Sequence, residues 1–208
     1  MAGGEELKLL GWWAPGVSPY VLRAQMALAV KGLSYEYLPE DRWCKSDLLI
    51  ASNPVYKKVP VLIHNGKPIC ESLLIVEYLD DALGLPGNGK PILPADPYSR
   101  AVARFWAAYA NDKLFPSCAG ILKTVKQEER AGKVEETLSG LRHLEAILAE
   151  CSEGEAEALF FGGDSIGFLD IALGCYLPVK ALLPGVDKLE EYITTVLYPK
   201  WNIAVTGN

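Results

Sequence analysis

Over the first eighty residues the chain switches repeatedly between two hydrophobic periods. Leu7 to Trp12 is apolar except for Lys8, the pattern of a largely buried strand. Val21 to Val30 repeats apolar residues at helical spacing and stops at Lys31-Gly32, a basic turn followed by a helix-ending glycine. Tyr35 to Leu38 reads as a second strand. Val61 to Ile63 and Ile69 to Cys70 flank Asn65-Gly66, a hairpin signal, and Leu73 to Leu83 returns to helical spacing. The order strand, helix, strand, short helical loop, strand, strand, helix predicts a mixed sheet with helices on both faces. Gly84 to Pro91 is rich in breakers and reads as an exposed linker. Beyond it Tyr98 to Gln127, Val134 to Ala149 and Phe168 to Leu182 are predicted helices, with a turn at Gly162-Gly163-Asp164. The predicted class is α/β plus all-α: a domain over residues 1–83, a linker over 84–97, and a helical domain over 98–208.

Composition narrows the functions this plan can serve. Half of the 208 residues are hydrophobic, enough for a real core, and the net charge of −6 argues against a phosphate-backbone partner. No apolar run reaches the roughly 18 residues a membrane helix needs. The opening Met1 to Glu6 is acidic and lacks a basic-then-apolar signal pattern, so the expected location is the cytoplasm. Five cysteines stand far apart, without a Cys-x-x-Cys pair, and are read as buried, reduced thiols. With two distant histidines besides, no metal site and no bound cofactor are expected.

The hairpin region carries the most specific signal. Asn53-Pro-Val-Tyr-Lys-Lys-Val-Pro-Val-Leu-Ile-His-Asn-Gly-Lys-Pro-Ile-Cys-Glu-Ser72 resembles the glutathione-binding segment of plant tau-class glutathione transferases. Ser18-Pro19-Tyr20 with Arg23, Arg104-Phe105-Trp106-Ala107, and Phe161 to Leu173 are similar to further family stretches. The resemblance covers about Leu7 to Lys180. It implies a thioredoxin-like domain followed by a helical one, a homodimer, and glutathione as co-substrate rather than cofactor. The activity it implies is conjugation of the glutathione thiol to hydrophobic electrophiles, with glutathione peroxidase as a side activity.

Each implied role has a plainer alternative. By the resemblance Pro60 follows a cis bond that turns the Val59 backbone toward glutathione; otherwise it is a trans proline opening an edge strand. Glu71 and Ser72 meet the γ-glutamyl group, or simply start a helix. Lys45 and Lys58 meet the glycyl end, or are solvated surface lysines. Ser18 either caps the helix that Pro19 opens, accepting through its oxygen, or donates its hydrogen to the glutathione sulfur. Arg23, one turn on, adds positive field. Serine rather than cysteine at residue 18 favours conjugation over thiol–disulfide exchange.

In the helical half the resemblance puts the electrophile against Tyr20, Phe115 and Leu122 in a cleft between domains, whereas Trp106 is read as core packing. Asp170, three residues after Gly167, fits a capping box and a folding role. Two stretches depart from the family pattern: the longer Ala14 to Val17 before Ser18, and Tyr192 to Asn208. The second motivates an alternative, a non-catalytic binding protein for glutathione and hydrophobic ligands.

Overall fold

A computed structural model describes residues 6–13, 18–83, 91–152, 161–162 and 165–174, leaving aside the side chains of Leu122, Gln127, Glu145 and residues 148–152. The loop Ala14 to Val17, most of the glycine-rich linker, the Gly163-Asp164 part of the turn, the stretch of the third predicted helix past Gly174, and the tail lie outside the described residues. The chain divides into two compact units between Ile92 and Leu93.

The first unit is built on strands β1 (Leu7–Trp12), β2 (Glu36–Glu40), β3 (Val61–His64) and β4 (Lys67–Cys70), with helices α1 (Pro19–Val30), α2 (Asp47–Ser52) and α3 (Ser72–Leu83). The strand order is β2-β1-β3-β4; β1 and β2 are parallel and the other two pairs antiparallel. Asn65 (φ 48°) and Gly66 (φ 78°) form the hairpin turn, where both central residues need positive φ.

The core is the set of positions the two periods select. Leu9, Leu10, Val61 and Leu62 from the sheet are sealed, as are Ile75, Val76, Leu79 and Leu83 of α3, which packs on α1. Each such side chain contributes about 1.5–3 kcal/mol by leaving water. The central part of α1 differs from a one-faced helix: Val21 to Leu28 are all buried, so Arg23 and Gln25 are interior polar groups. Lys31 does more than end the helix. Its ammonium meets Asp80 at 2.6 Å in a buried ion pair, and Asp80 also accepts the Ile92 N–H at 2.8 Å. Ile92 and Leu93, just past the expected exposed stretch Gly84 to Pro91, are buried.

The second unit contains α4 (Pro97–Tyr109), a π-helical turn (Ala110–Leu114), α5 (Phe115–Lys123), α6 (Gln127–Ser152) and α7 (Phe168–Gly174). The single helix expected over Tyr98 to Gln127 is thus interrupted. Pro116 cannot donate a helical hydrogen bond, and the wider turn ahead of it lets the Phe115 N–H bond to Ala110 O instead. At Thr124 the backbone becomes extended, ending α5. Trp106 is half-buried rather than core, edge-on to Phe105 and Tyr109, because the small Ala107 and Ala110 take the buried positions.

Candidate functional site

The topology collects the predicted ligand-binding residues at one end of the sheet. Trp12 pairs with Glu40, so β1 and β2 finish together. Val61, the start of β3, pairs with Leu10 near the end of β1 and with Cys70, the end of β4. Four connections therefore open from the same end. They lead to Ser18, to Lys45, from Lys58-Val59-Pro60, and into Glu71-Ser72.

At the first, Ser18 is buried and caps α1, its Oγ accepting the Val21 N–H at a long 3.4 Å. The cap uses the oxygen as acceptor and is compatible with donation of the hydroxyl hydrogen elsewhere. At the third connection, Val59-Pro60 is a cis peptide bond. Asn53, which the motif contained without a stated role, builds the approach to it. Its side chain donates to Lys58 O at 3.0 Å and accepts from Tyr56 N–H at 3.1 Å, while Lys57 sits at φ 52°.

The fourth connection is the tightest. One step beyond the Val61–Cys70 pair, Glu71 has φ 72°, a left-handed conformation costing a residue with a side chain roughly 1–2 kcal/mol. Its carbonyl accepts the Ile75 N–H at 2.9 Å, so it opens α3, yet its side chain stays exposed. Ser72 is buried and accepts from Arg23 Nη1 at 3.3 Å. The fully buried Arg23 also lies 5.4 Å over the Tyr20 ring. Its guanidinium thus reaches Ser72, a contact additional to the field at Ser18 expected from the sequence. Burial, then the charge of Glu71, hold the Cys70 thiol above its ordinary value, which keeps it protonated beside the site.

Lys45 and Lys58 are exposed. So is Cys44, against the expectation of buried thiols, because it sits in a run of exposed residues after β2; Cys118 is buried and Cys70 half-buried. Among the described residues no group of His, Cys, Asp or Glu could hold a metal ion, and no helix is long and apolar enough to cross a membrane. In the second unit Phe115 is half-buried at the start of α5, and the Leu122 side chain lies outside the description. Asp170 is sealed, accepting N–H bonds from Gly167 (2.7 Å), Phe161 (3.1 Å) and Gly162 (3.2 Å). A side chain at Gly162 would come within 2.8 Å of the Gly167 backbone, so the turn requires glycine there. Burial pushes the Asp170 carboxyl up to about 7, although its N–H donors pull the other way.

Residues 5–81 match the N-terminal domain family of the glutathione S-transferases. The chain is 49% identical over 191 residues to the probable glutathione S-transferase GSTU6 of Oryza sativa subsp. japonica, covering 91% of this chain and 77% of the relative. It belongs to the glutathione S-transferase family. The tau-class assignment follows from solved structures as well. The Tau class glutathione S-transferase from mango, Mangifera indica, matches with a TM-score of 0.77 and 44% identity, covering 98% of this chain and 89% of that one. Rice GST1, solved in complex with glutathione, matches with a TM-score of 0.75 and 37% identity over 98% and 87% of the two chains.

Within this transferase, two structural contacts at the sheet end escaped sequence reasoning: Asn53 bonding across the approach to the cis bond, and the buried Arg23 reaching Ser72. Only Asn53 had a local signal, as an Asx-type residue ahead of a turn.

Proposed function

We propose that the chain conjugates the thiolate of glutathione to hydrophobic electrophiles, the Ser18 hydroxyl donating a hydrogen bond to the sulfur. The observation carrying this reading is the convergence of a capped helix start, a cis Val59-Pro60 bond and a left-handed Glu71 at one end of a four-stranded sheet. A peptide laid across that end can pair its backbone with Val59. Its γ-glutamyl ammonium can meet Glu71, and its γ-glutamyl carboxylate can meet Ser72. Arg23 then serves the same carboxylate: accepting from Arg23 leaves the Ser72 hydrogen for donation to the ligand. Lys45 and Lys58 are assigned to the glycyl end, and Tyr20, Phe115 and Leu122 to the electrophile.

The energies suffice. A thiol of pKa about 8.5 is about 3% ionised at neutral pH, and making the thiolate the majority species takes about 2.7 kcal/mol. A hydrogen bond to a charged group contributes about 1.5–3 kcal/mol, and the start of the twelve-residue α1 about 0.3–1 kcal/mol more. An apolar electrophile site discriminates by only about 1–3 kcal/mol per methylene, so tolerance for many electrophiles is expected. Cytoplasmic location, homodimeric assembly and a peroxidase side activity complete the reading, supported by the family.

A binding protein without turnover is the less favoured alternative, since relatives of nearly half-identical sequence are named transferases. A conjugation assay with an aromatic halide separates the two. Saturable turnover in both substrates supports the transferase. Retention on immobilised glutathione with negligible turnover supports the alternative.

A further inference from the structure

Glu40, the last residue of β2, is a buried carboxylate that the chemistry above does not use. Both of its oxygens face one residue. Ser46 Oγ donates to Oε1 at 2.5 Å and the Ser46 N–H donates to Oε2 at 3.0 Å. The Ser46 hydroxyl meanwhile accepts the Leu49 N–H at 3.0 Å, so its hydrogen is committed to Glu40. These two charge-assisted bonds close the connection Asp41 to Lys45 at its base. Asp41 Oδ1 folds the interior by accepting from Trp43 N–H (2.7 Å) and Cys44 N–H (3.3 Å).

Residues 41–48 are all exposed, so apolar packing does not hold this loop in place. The clasp on Glu40 does. Through its backbone carbonyl, which accepts the Trp13 N–H at 3.0 Å, Glu40 also fixes the exit of β1 toward Ser18. Burying a carboxylate is unfavourable unless its hydrogen bonds are met. Here they are met by the residue adjacent to Lys45.

We propose that Glu40 is a positioning residue for glutathione, holding the loop so that Lys45 is set in advance to meet the glycyl carboxylate; this rests on the role given to Lys45 above. A lysine on an unclasped loop would spend part of its binding energy on ordering the chain. The clasp therefore acts on glutathione affinity and leaves thiolate formation at Ser18 unaffected.

The test is steady-state kinetics with glutathione and with its glycyl ethyl ester, which lacks the glycyl charge. The proteins are wild type, Glu40→Ala, Glu40→Gln, Lys45→Ala and the Glu40→Ala/Lys45→Ala double variant. Glu40→Ala is expected to raise KM for glutathione about fivefold, the scale of an exposed ion pair, with KM for the ester unchanged. Turnover at saturation stays within about twofold, the mark of a binding rather than a transition-state loss. Lys45→Ala gives the same rise, and the double variant no further one, because both changes remove a single interaction. Equal rises for glutathione and ester in Glu40→Ala overturn the proposal, since Glu40 then only supports the fold. No effect of Lys45→Ala alone rejects the Lys45 assignment, whatever Glu40 does. Should Glu40→Ala not fold, Glu40→Gln keeps the shape and one acceptor: a smaller rise confined to glutathione supports the clasp, and equal rises for both thiols overturn it.

Discussion

The open end of the sheet in the first unit and the helices of the second solve different problems. The sheet end fixes backbone and small polar groups: a capped helix start, a cis bond, a left-handed glutamate, and a serine held by a buried arginine. These are local conformations and polar contacts, and together they suit a ligand of fixed polar shape. The helical unit instead carries packed rings, with Trp106 edge-on to both Phe105 and Tyr109 at the end of α4, contacts specified by size and apolarity. Under the proposed function, recognition of glutathione is geometric and directional, whereas tolerance for electrophiles follows from contacts with little directionality.

The largest predicted effect probes the framework of the helical unit. Asp170→Ala removes the acceptor of three N–H bonds in a tight turn and is expected to lower stability by about 3 kcal/mol in chemical denaturation. The same residue gives a pH signature. Its carboxyl titrates near 7 when folded, above the ordinary 3.8, so the folded chain binds the proton more tightly than the unfolded one. That contribution is fully present below about pH 4 and is lost as pH rises through about 7. The unfolding free energy of wild type relative to Asp170→Asn should therefore decline between about pH 4 and about pH 7 and level off above; a constant difference across that range would remove this account of the carboxyl.

At the sheet end the next effects should fall on one kinetic constant each. Ser18→Ala is expected to lower turnover with a halide electrophile about tenfold or more, with glutathione affinity largely kept. Ser72→Ala is expected to do the reverse, raising KM for glutathione about tenfold while leaving turnover at saturation near wild type. If both variants changed the same constant, the separation of sulfur and carboxylate roles along this edge would be wrong. The smallest effect belongs to the helical side. Phe115→Ala should change KM for a bulky aromatic electrophile about fivefold and that for glutathione hardly at all, the reverse pattern contradicting its assignment.

The strands and most helices were legible because their apolar periods are strong and Asn65-Gly66 marks its own turn. The apolar period over Tyr98 to Gln127 runs on through Pro116, so periodicity alone does not show the interruption that the proline and the extended Thr124 impose. Ring size points Trp106 to the core, yet the buried positions go to the small Ala107 and Ala110. At the site, Val59-Pro60 and Glu71-Ser72 could be picked out through the family resemblance of the Asn53 to Ser72 segment, and Ser18 through that of the separate Ser18-Pro19-Tyr20 stretch. The Arg23–Ser72 contact and the Glu40–Ser46 clasp could not, since both depend on burial and on partners fixed by the sheet. A surface-type residue turned inward leaves no periodic trace.

In the proposed reaction one hydroxyl at the start of α1 keeps the glutathione sulfur anionic. Ultraviolet difference spectroscopy of the glutathione complex across pH measures this directly. The bound thiol is expected to titrate about two units below its ordinary value near 8.5 in wild type and to return toward that value in Ser18→Ala. A bound thiol that ionises near 8.5 in both proteins would contradict the account.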